Sequence, residues 1–173
     1  MTTLAPVIDL VGDIGHFSCF VYGGARWVLY LRESGELELH RSLDGLTAWW
    51  GLDVAYVKKQ VTACVFDDEL IIVWTLPVTN ELYLSKWHLG THKYTQQPTL
   101  LWAGDSPSLA RYLDTKLILN YRNGAQQHAY RTSLDTGVVW SAPVIVDSNV
   151  VTEIDTDVYP ASSVRVYWDE TST

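Results

Sequence analysis

Histidines, cysteines and acidic residues with the spacing of metal or catalytic sites are scarce in this chain. His88 and His92 have the four-residue separation of two metal ligands on one helix face, but the residues around them predict a turn. The acidic run Asp67-Asp68-Glu69 also lies at a predicted turn, where carboxylates are usually solvated. Two cysteines are too few to form a metal site of their own. The sequence therefore predicts no catalytic residues, no metal site and no cofactor.

Aromatic residues are the most abundant groups with binding chemistry, since the chain has eight Trp and ten Tyr. Most of them fit a repeated core pattern, which is described below. Trp50, Trp87 and Trp102 fit it less well and are candidate glycan-contact or interface residues. Sugar rings stack on aromatic faces beside polar turns, and the same amphipathic rings favour protein interfaces. Packing between structural units is the leading alternative for all three.

The elements that would position these residues follow from a motif that occurs twice. Ser42-Leu43-Asp44 followed by Trp49 recurs 91 residues later as Ser133-Leu134-Asp135 followed by Trp140. This separation suits two units of about 45 residues, which is within the range of propeller-blade repeats. A recurring aromatic residue marks the same period, at Tyr30, Trp74, Tyr121 and Trp168.

Short apolar or alternating segments divided by turns predict four strands in each unit. The sequence thus predicts an all-β, propeller-like array of about four four-stranded antiparallel blades within one domain, residues 1–173. Three units are expected near 14–57, 61–102 and 106–147. Residues 158–169 resemble the first two strands of a further unit, and residues 5–11 resemble an outer strand. Pairing of these ends within one chain or between chains would remove a free sheet edge, and both alternatives stay open.

The segment Ser133-Leu134-Asp135-Thr136-Gly137-Val138-Val139-Trp140 resembles the Asp-box of sialidase-type (BNR) propellers, and Ser42 to Trp49 is a looser copy. The resemblance implies a turn between the third and fourth strands of a blade. In that turn Asp accepts backbone N–H groups, Gly adopts positive φ and Trp packs between blades. It therefore implies structural roles for Ser42, Asp44, Trp49, Ser133, Asp135, Gly137 and Trp140.

The same resemblance implies a glycosidase only if the enzymes' arginine triad and acidic groups are also present. None of the seven arginines lies in the Arg-Ile-Pro pattern of that family, and the chain has room for about four blades where the enzymes use six. A sialidase-like fragment is therefore the weakest functional hypothesis.

Charge and hydropathy exclude two classes of partner. The net charge of −8, with scattered basic residues, argues against nucleic acid. No apolar run approaches the roughly 20 residues of a membrane span, and the N-terminus lacks the pattern of a signal peptide. We expect a cytoplasmic or virion-associated protein.

The two cysteines, Cys19 and Cys64, are 45 residues apart, and Ala110 follows 46 residues later. This spacing predicts equivalent, tightly packed core positions in successive units, because free Cys behaves as a small hydrophobe.

The first functional hypothesis is a non-catalytic structural or assembly module that docks onto other proteins or self-associates. By analogy, it could be a phage virion or tail component. The alternative is a lectin-like module that binds glycans.

Overall fold

The computed structural model describes residues 14–32, 34–43, 46–52, 60–112, 115–159 and 163–170, with side chains at 17–32, 34–43, 48, 50–52, 60–112 and 115–146. Throughout these ranges the regular elements are β-strands, which confirms the all-β prediction. The first sheet contains β1 (Ile14–Tyr22), β2 (Ala25–Arg32), β3 (Leu37–Leu43) and β4 (Leu46–Gly51). The second contains β5 (Gln60–Phe66), β6 (Glu69–Thr75), β7 (Glu81–His88) and β8 (Lys93–Ala103). The third contains β9 (Asp105–Tyr112), β10 (Lys116–Arg122), β11 (Gln127–Ser133), β12 (Val144–Tyr159) and β13 (Ser163–Glu170).

Each sheet is a meander in which sequential strands pair antiparallel, as short turns between them require. In the second sheet, all five apolar residues from Leu70 to Trp74 are fully buried. Side chains alternate between the two faces of a strand, so a fully buried run means that both faces of β6 are covered. The second sheet therefore lies between the other two. In the described ranges, no helix has the length and apolar character needed to cross a bilayer.

Two apolar layers hold the three sheets together. The first seam, between the first and second sheets, contains Leu29, Leu39, Leu70, Ile72 and Trp74. The second seam, between the second and third sheets, contains Ile71, Val73, Leu84, Leu117 and Leu119. Adjacent β6 residues contribute to opposite seams, as the two-residue period of a strand requires.

The first strands of the sheets, β1, β5 and β9, lie side by side and share a repeated hydrogen bond. The Ala63 amide donates to Ser18 Oγ (3.2 Å), and the Leu109 amide donates to Thr62 Oγ1 (3.0 Å). A hydroxyl on β1 and another on β5 thus each accept a backbone N–H from the next sheet. These hydrogen bonds fix the position of each first strand relative to the first strand of the next sheet.

The recurring aromatics occupy equivalent places. Tyr30, Trp74 and Tyr121 each lie on the second strand of a sheet and are at most 2% exposed. Trp74 and Tyr121 belong to the seams shared with the preceding sheet. Tyr30 lies on the corresponding face of the first sheet, opposite the first seam. Trp168 lies on β13.

The end of the chain differs in detail from the predicted fourth strand and partial unit. β12 continues without interruption from Val144 to Tyr159. Its first part pairs with β11, and residues Val151–Tyr159 pair with β13 as a hairpin. The boundaries of the proposed repeat units stay a prediction, and residues 5–11 lie outside the described residues.

The interpretation of Cys19 and Cys64 as equivalent positions is wrong. Cys19 pairs with Val28 and Ala63 pairs with Ile72, 44 residues on in both strands. Ala63 is therefore the counterpart of Cys19, and Cys64 has its side chain on the other face, in the second seam. A 45-residue offset differs from this register by one residue, and one residue reverses the face of a strand. Both thiols are free.

Candidate functional site

The turn between β11 and β12 shows how the second copy of the motif is built. Ser133 Oγ donates to Asp135 Oδ1 (2.7 Å) and accepts the Gly137 amide (3.0 Å). The same carboxylate oxygen accepts the Val139 amide (2.9 Å). These hydrogen bonds hold the pKa of Asp135 below its usual range, with Ser133 as the largest contribution. The motif therefore closes a turn with its own side chains, which is a structural role.

The same turn docks onto the second sheet. Lys86 Nζ donates to Thr136 Oγ1 (2.8 Å), and Gly137 packs so closely that an added Cβ would lie 2.8 Å from Leu84 Cδ1. Trp140 Nε1 donates to the Gly137 carbonyl (3.0 Å). The turn is thus part of the wall of the second seam. Of the first motif, Ser42 is buried on β3, and the Asp44 residue and the Trp49 side chain lie outside the described ranges.

Two of the three candidate tryptophans are packed within the seams. Trp87 is 7% exposed in the first seam, where its ring meets Tyr94 edge-on at 5.0 Å. Trp102 lies in the second seam, with its ring 5.6 Å from Trp140 and the Arg131 guanidinium 4.2 Å above it. Both indoles thus contribute to packing between sheets; Trp87 is buried, whereas Trp102 is partly exposed.

Trp50 is different, because it belongs to a stack of four rings that reaches the surface; we name Phe20, Trp27, Trp50 and His92 the aromatic platform. Trp27 stacks on Trp50 with centroids 5.5 Å apart and planes at 20°, and Phe20 stacks on Trp27 at 6.1 Å and 7°. His92 lies 4.3 Å from Trp50. Phe20, Trp50 and His92 are partly exposed, whereas Trp27 is buried. Neighbouring strands of the first sheet and a turn of the second thus form one aromatic surface.

A guanidinium lies over this platform. The Arg41 Cζ atom is 5.7 Å from the Trp27 ring centroid and 5.9 Å from that of Trp50, within cation–π range. Arg41 Nε is buried and has no hydrogen-bond partner among the described residues. Buried N–H groups of this kind are normally paired, with protein, water or ligand. Arg41 as a whole is partly exposed, so its guanidinium borders the platform at the surface, whereas the buried Nε itself is closed to a ligand in this conformation.

The His92 ring is held in place by a tight turn. His88 Nδ1 accepts the amides of Gly90 (3.0 Å) and Thr91 (3.2 Å), and the His92 amide donates to the His88 carbonyl (2.9 Å). His92 itself has φ 55°, in the left-handed region. The two histidines thus serve the turn and the platform. Within the described ranges, no group of three or more His, Cys, Asp and Glu side chains is arranged to hold a metal ion.

A polar network occupies the opposite face of the first sheet. The Glu38 carboxylate accepts Arg32 Nε (2.7 Å) and the Tyr30 hydroxyl (2.5 Å), and lies 3.1 Å from His40 Nε2. The Arg32 hydrogen bond is the main cause that lowers the pKa of Glu38 to about 2. Burial, with the Glu38 hydrogen bond second, raises the pKa of Tyr30 to about 12. Each charged group is paired with another member of the network, so the network stabilises the sheet.

Sequence reasoning singled out Trp50, missed Trp27 and Arg41, and considered His92 only as one of a pair of possible metal ligands. Trp27 alternates with Leu29 and Leu31, a pattern that indicates core and nothing more. Arg41 follows Trp27 by 14 residues and lies directly opposite it across β2 and β3. A predicted β2–β3 hairpin register would have revealed that pair. His92 belongs to another sheet, so its position has no local signal.

No family model matches the chain, and the curated proteins contain no match to it either. Solved structures are similar in fold. A mutant of AofleA from Arthrobotrys oligospora, with three arginines replaced by alanine, is 15% identical with a TM-score of 0.60, covering 90% of this chain and 50% of that one. An exo-β-1,3-galactanase from Phanerochaete chrysosporium, crystallised with β-1,3-galactotriose, is 10% identical with a TM-score of 0.58, covering 94% and 49%. Unmutated AofleA is 14% identical with a TM-score of 0.57, covering 86% and 48%. This chain spans about half the length of these structures, and the likeness is one of fold.

Proposed function

We propose that the chain is a non-catalytic carbohydrate-binding module, with its sheets arranged as consecutive blades of a propeller-like array. The observation that carries the proposal is the aromatic platform with the partly exposed Arg41 guanidinium above it. An apolar surface that fixes a ring, with a few polar groups to orient it, is the general composition of a small-molecule site. The fold shared with a galactanase crystallised with a galactose trisaccharide supports a saccharide as the ligand.

The platform matches the two surfaces of a sugar. The C–H face of a pyranose is apolar and packs against aromatic faces, as the partly exposed Trp50 offers. Hydroxyl groups at the edge of the same ring accept hydrogen bonds, and Arg41 supplies the donor. The platform and the Arg41 side chain above it together contribute one guanidinium and no carboxylate. The favoured ligand is therefore a neutral saccharide with a hydrogen-bond acceptor at the edge of its ring.

Binding without turnover is part of the proposal. Glycoside hydrolysis requires two carboxyl groups about 5–10 Å apart on either side of the scissile bond. None of the residues that build the platform is Asp or Glu. The Glu38 carboxylate lies on the other face of the first sheet, where it accepts hydrogen bonds from Arg32 and Tyr30.

An array of oligosaccharides that includes β-1,3-galactotriose tests the proposal. We expect the native chain to bind a subset of neutral glycans. Trp50→Ala should weaken that binding by roughly 10- to 30-fold, the loss typical of an aromatic anchor. Arg41→Met, which keeps an apolar stem and removes the donors, should weaken binding while the platform stays stacked.

Trp102→Ala is the matched control, because Trp102 also lies on the last strand of its sheet and packs against arginine and aromatic rings. It should lower the melting temperature as Trp50→Ala does and leave glycan binding unchanged. Failure of the native chain to bind any glycan, or equal binding by the native chain and Trp50→Ala, would refute the proposal.

A docking role for other proteins is the second candidate function. It is favoured by the exposed apolar residues Phe17 and Val21 on the first sheet, which are described below. The fold comparisons give no support to a virion or phage-tail role or to membership of the Asp-box family, and both stay predictions from the sequence.

A further inference from the structure

On one face of the first sheet the β1 side is left exposed, whereas Tyr30 on the same face is 1% exposed and packed within the Glu38 network. The open face is the part of β1 and β2 turned away from the first seam and consists of Phe17, Cys19, Val21, Arg26 and Val28. Phe17 is 65% exposed and Val21 is 71% exposed, and Cys19 is also exposed. Their neighbours Phe20 and Tyr22 alternate with them and pack into the first seam. Apolar residues concentrated at one patch of a strand indicate a surface that becomes covered.

The equivalent faces of the other two sheets are covered in each case by the preceding sheet. Phe17 pairs with Tyr30 as Val61 pairs with Trp74, and Val61 is 5% exposed in the first seam. Leu109, on the matching face of β9, is 6% exposed in the second seam. Because the array buries this face twice, the open face has the composition and shape of a third seam that lacks its other half.

The other end of the array supplies the missing half. The β12–β13 hairpin continues the array past the third sheet, since β12 packs against β9 and β10. Among the described strands, neither β12 nor β13 packs against β1 in the way that β5 does. As far as the described strands extend, the array is therefore open at this face. Residues 151–170 contain five acidic residues and one arginine, whereas the open face carries the exposed Arg26.

We propose that a second copy of this chain covers the open face with its β12–β13 hairpin, and that two copies joined head to tail close one ring. Two identical interfaces related by a two-fold axis complete such a ring without leaving an unpaired end. The proposal is independent of glycan binding, since the platform lies within one chain.

Light scattering coupled to size-exclusion chromatography measures the association directly. We expect a mass about twice the 19.5 kDa of the chain. Phe17→Asp and Val21→Asp should each give the single-chain mass at the same concentration, with the strand signal of circular dichroism unchanged and the dissociation constant raised at least about 100-fold. Leu100→Asp is the matched control, because Leu100 is a half-exposed apolar residue on β8, away from the open face. It should retain the double mass.

Thiol chemistry at Cys19 provides a readout that does not depend on mass. Burial raises the pKa of Cys64 to about 12, so Cys64 should stay silent toward a thiol reagent in every variant. Cys19 should be protected in the native chain and become reactive in Phe17→Asp. Oxidation should not link the two Cys19 thiols of a dimer, because each faces the partner's hairpin and not the other Cys19.

Four results would overturn the proposal. A single-chain mass with a reactive Cys19 would show that the face is free. A single-chain mass with a protected Cys19 would show that residues of the same chain cover it. A double mass that survives both aspartate substitutions would place the dimer contact elsewhere. A Cys19–Cys19 disulfide formed on oxidation would show that two open faces meet, so that the ring is not head to tail.

Discussion

Gly137 in the β11–β12 turn provides the sharpest test of how the third sheet docks onto the second. Its φ is 85°, in the left-handed region, and an added Cβ would lie 2.8 Å from Leu84 Cδ1 and 3.2 Å from Trp140 Cζ2. The left-handed conformation costs a non-glycine residue about 1–2 kcal/mol, and overpacking costs about 1–3 kcal/mol. Gly137→Ala should therefore lower the free energy of unfolding by about 2–5 kcal/mol.

Three other glycines separate the two contributions. Gly24 has φ 75° and open space around it, so Gly24→Ala reports the backbone cost alone. Gly104 has no positive φ, but its Cβ would lie 2.8 Å from Tyr121 Cδ2 and 2.9 Å from the Arg122 carbonyl oxygen, which cannot rotate away. Gly104→Ala thus reports the packing cost. Gly124 has neither constraint, and Gly124→Ala should be neutral.

Thermal and urea unfolding of the four alanine variants measures these costs. For a domain of this length each kcal/mol corresponds to about 2–4 °C, so Gly137→Ala should lower Tm by roughly 4–20 °C. The sum of the Gly24 and Gly104 effects should approach the Gly137 effect. A Gly137→Ala variant that unfolds like Gly124→Ala would show that the turn is not docked in the second seam, and the assigned inter-sheet contact would then be incorrect.

Three further predictions concern buried polar groups. Thr62→Val should cost about 1–3 kcal/mol because it leaves the buried Leu109 amide without its acceptor, while Thr62→Ser should cost much less; urea unfolding measures both. Because the folded chain lowers the pKa of Glu38 to about 2, this group stabilises the fold above about pH 4.3, and the contribution is lost as pH falls toward 2. Glu38→Gln should remove that part of the acid dependence of unfolding. Because folding raises the pKa of Tyr30 to about 12, its contribution is present below about pH 10 and is lost as pH rises toward 12, a loss that Tyr30→Phe should abolish in alkaline unfolding curves.

The features that could be predicted from the sequence are those with a local physical cause. Alternating segments between turn residues indicate strands, and the structure is all-β throughout its described ranges. The aromatic period places Tyr30, Trp74 and Tyr121 on the second strand of successive sheets, where Trp74 and Tyr121 fill the two seams and Tyr30 lies on the matching face of the first sheet. The side-chain and backbone groups of the β11–β12 turn lie within ten residues, so its composition determines its hydrogen bonds.

The remaining features depend on distances that the sequence does not encode locally. The repeat is 44 residues long in one place and 47 in another, so the sequence does not determine which face of β5 carries the Cys64 side chain. An error of one residue in the register moves that side chain to the other face. The aromatic platform joins β1, β2 and β4 of the first sheet to the turn that holds His92, and only the packing of two sheets brings them together. The continuous β12 was also unpredictable, since its two halves pair with different strands.

The two proposals occupy opposite faces of the same sheet, and this separation makes each a control for the other. Trp50 pairs with Leu39 and faces the first seam, whereas Phe17 pairs with Tyr30 and faces away from it. The backbone of β2 and β3 lies between the two sites, with no side chain shared. Phe17→Asp should therefore release the partner chain and keep the affinity for glycan, while Trp50→Ala should do the reverse. The double variant should show the sum of the two effects, because sites without common partners are energetically additive.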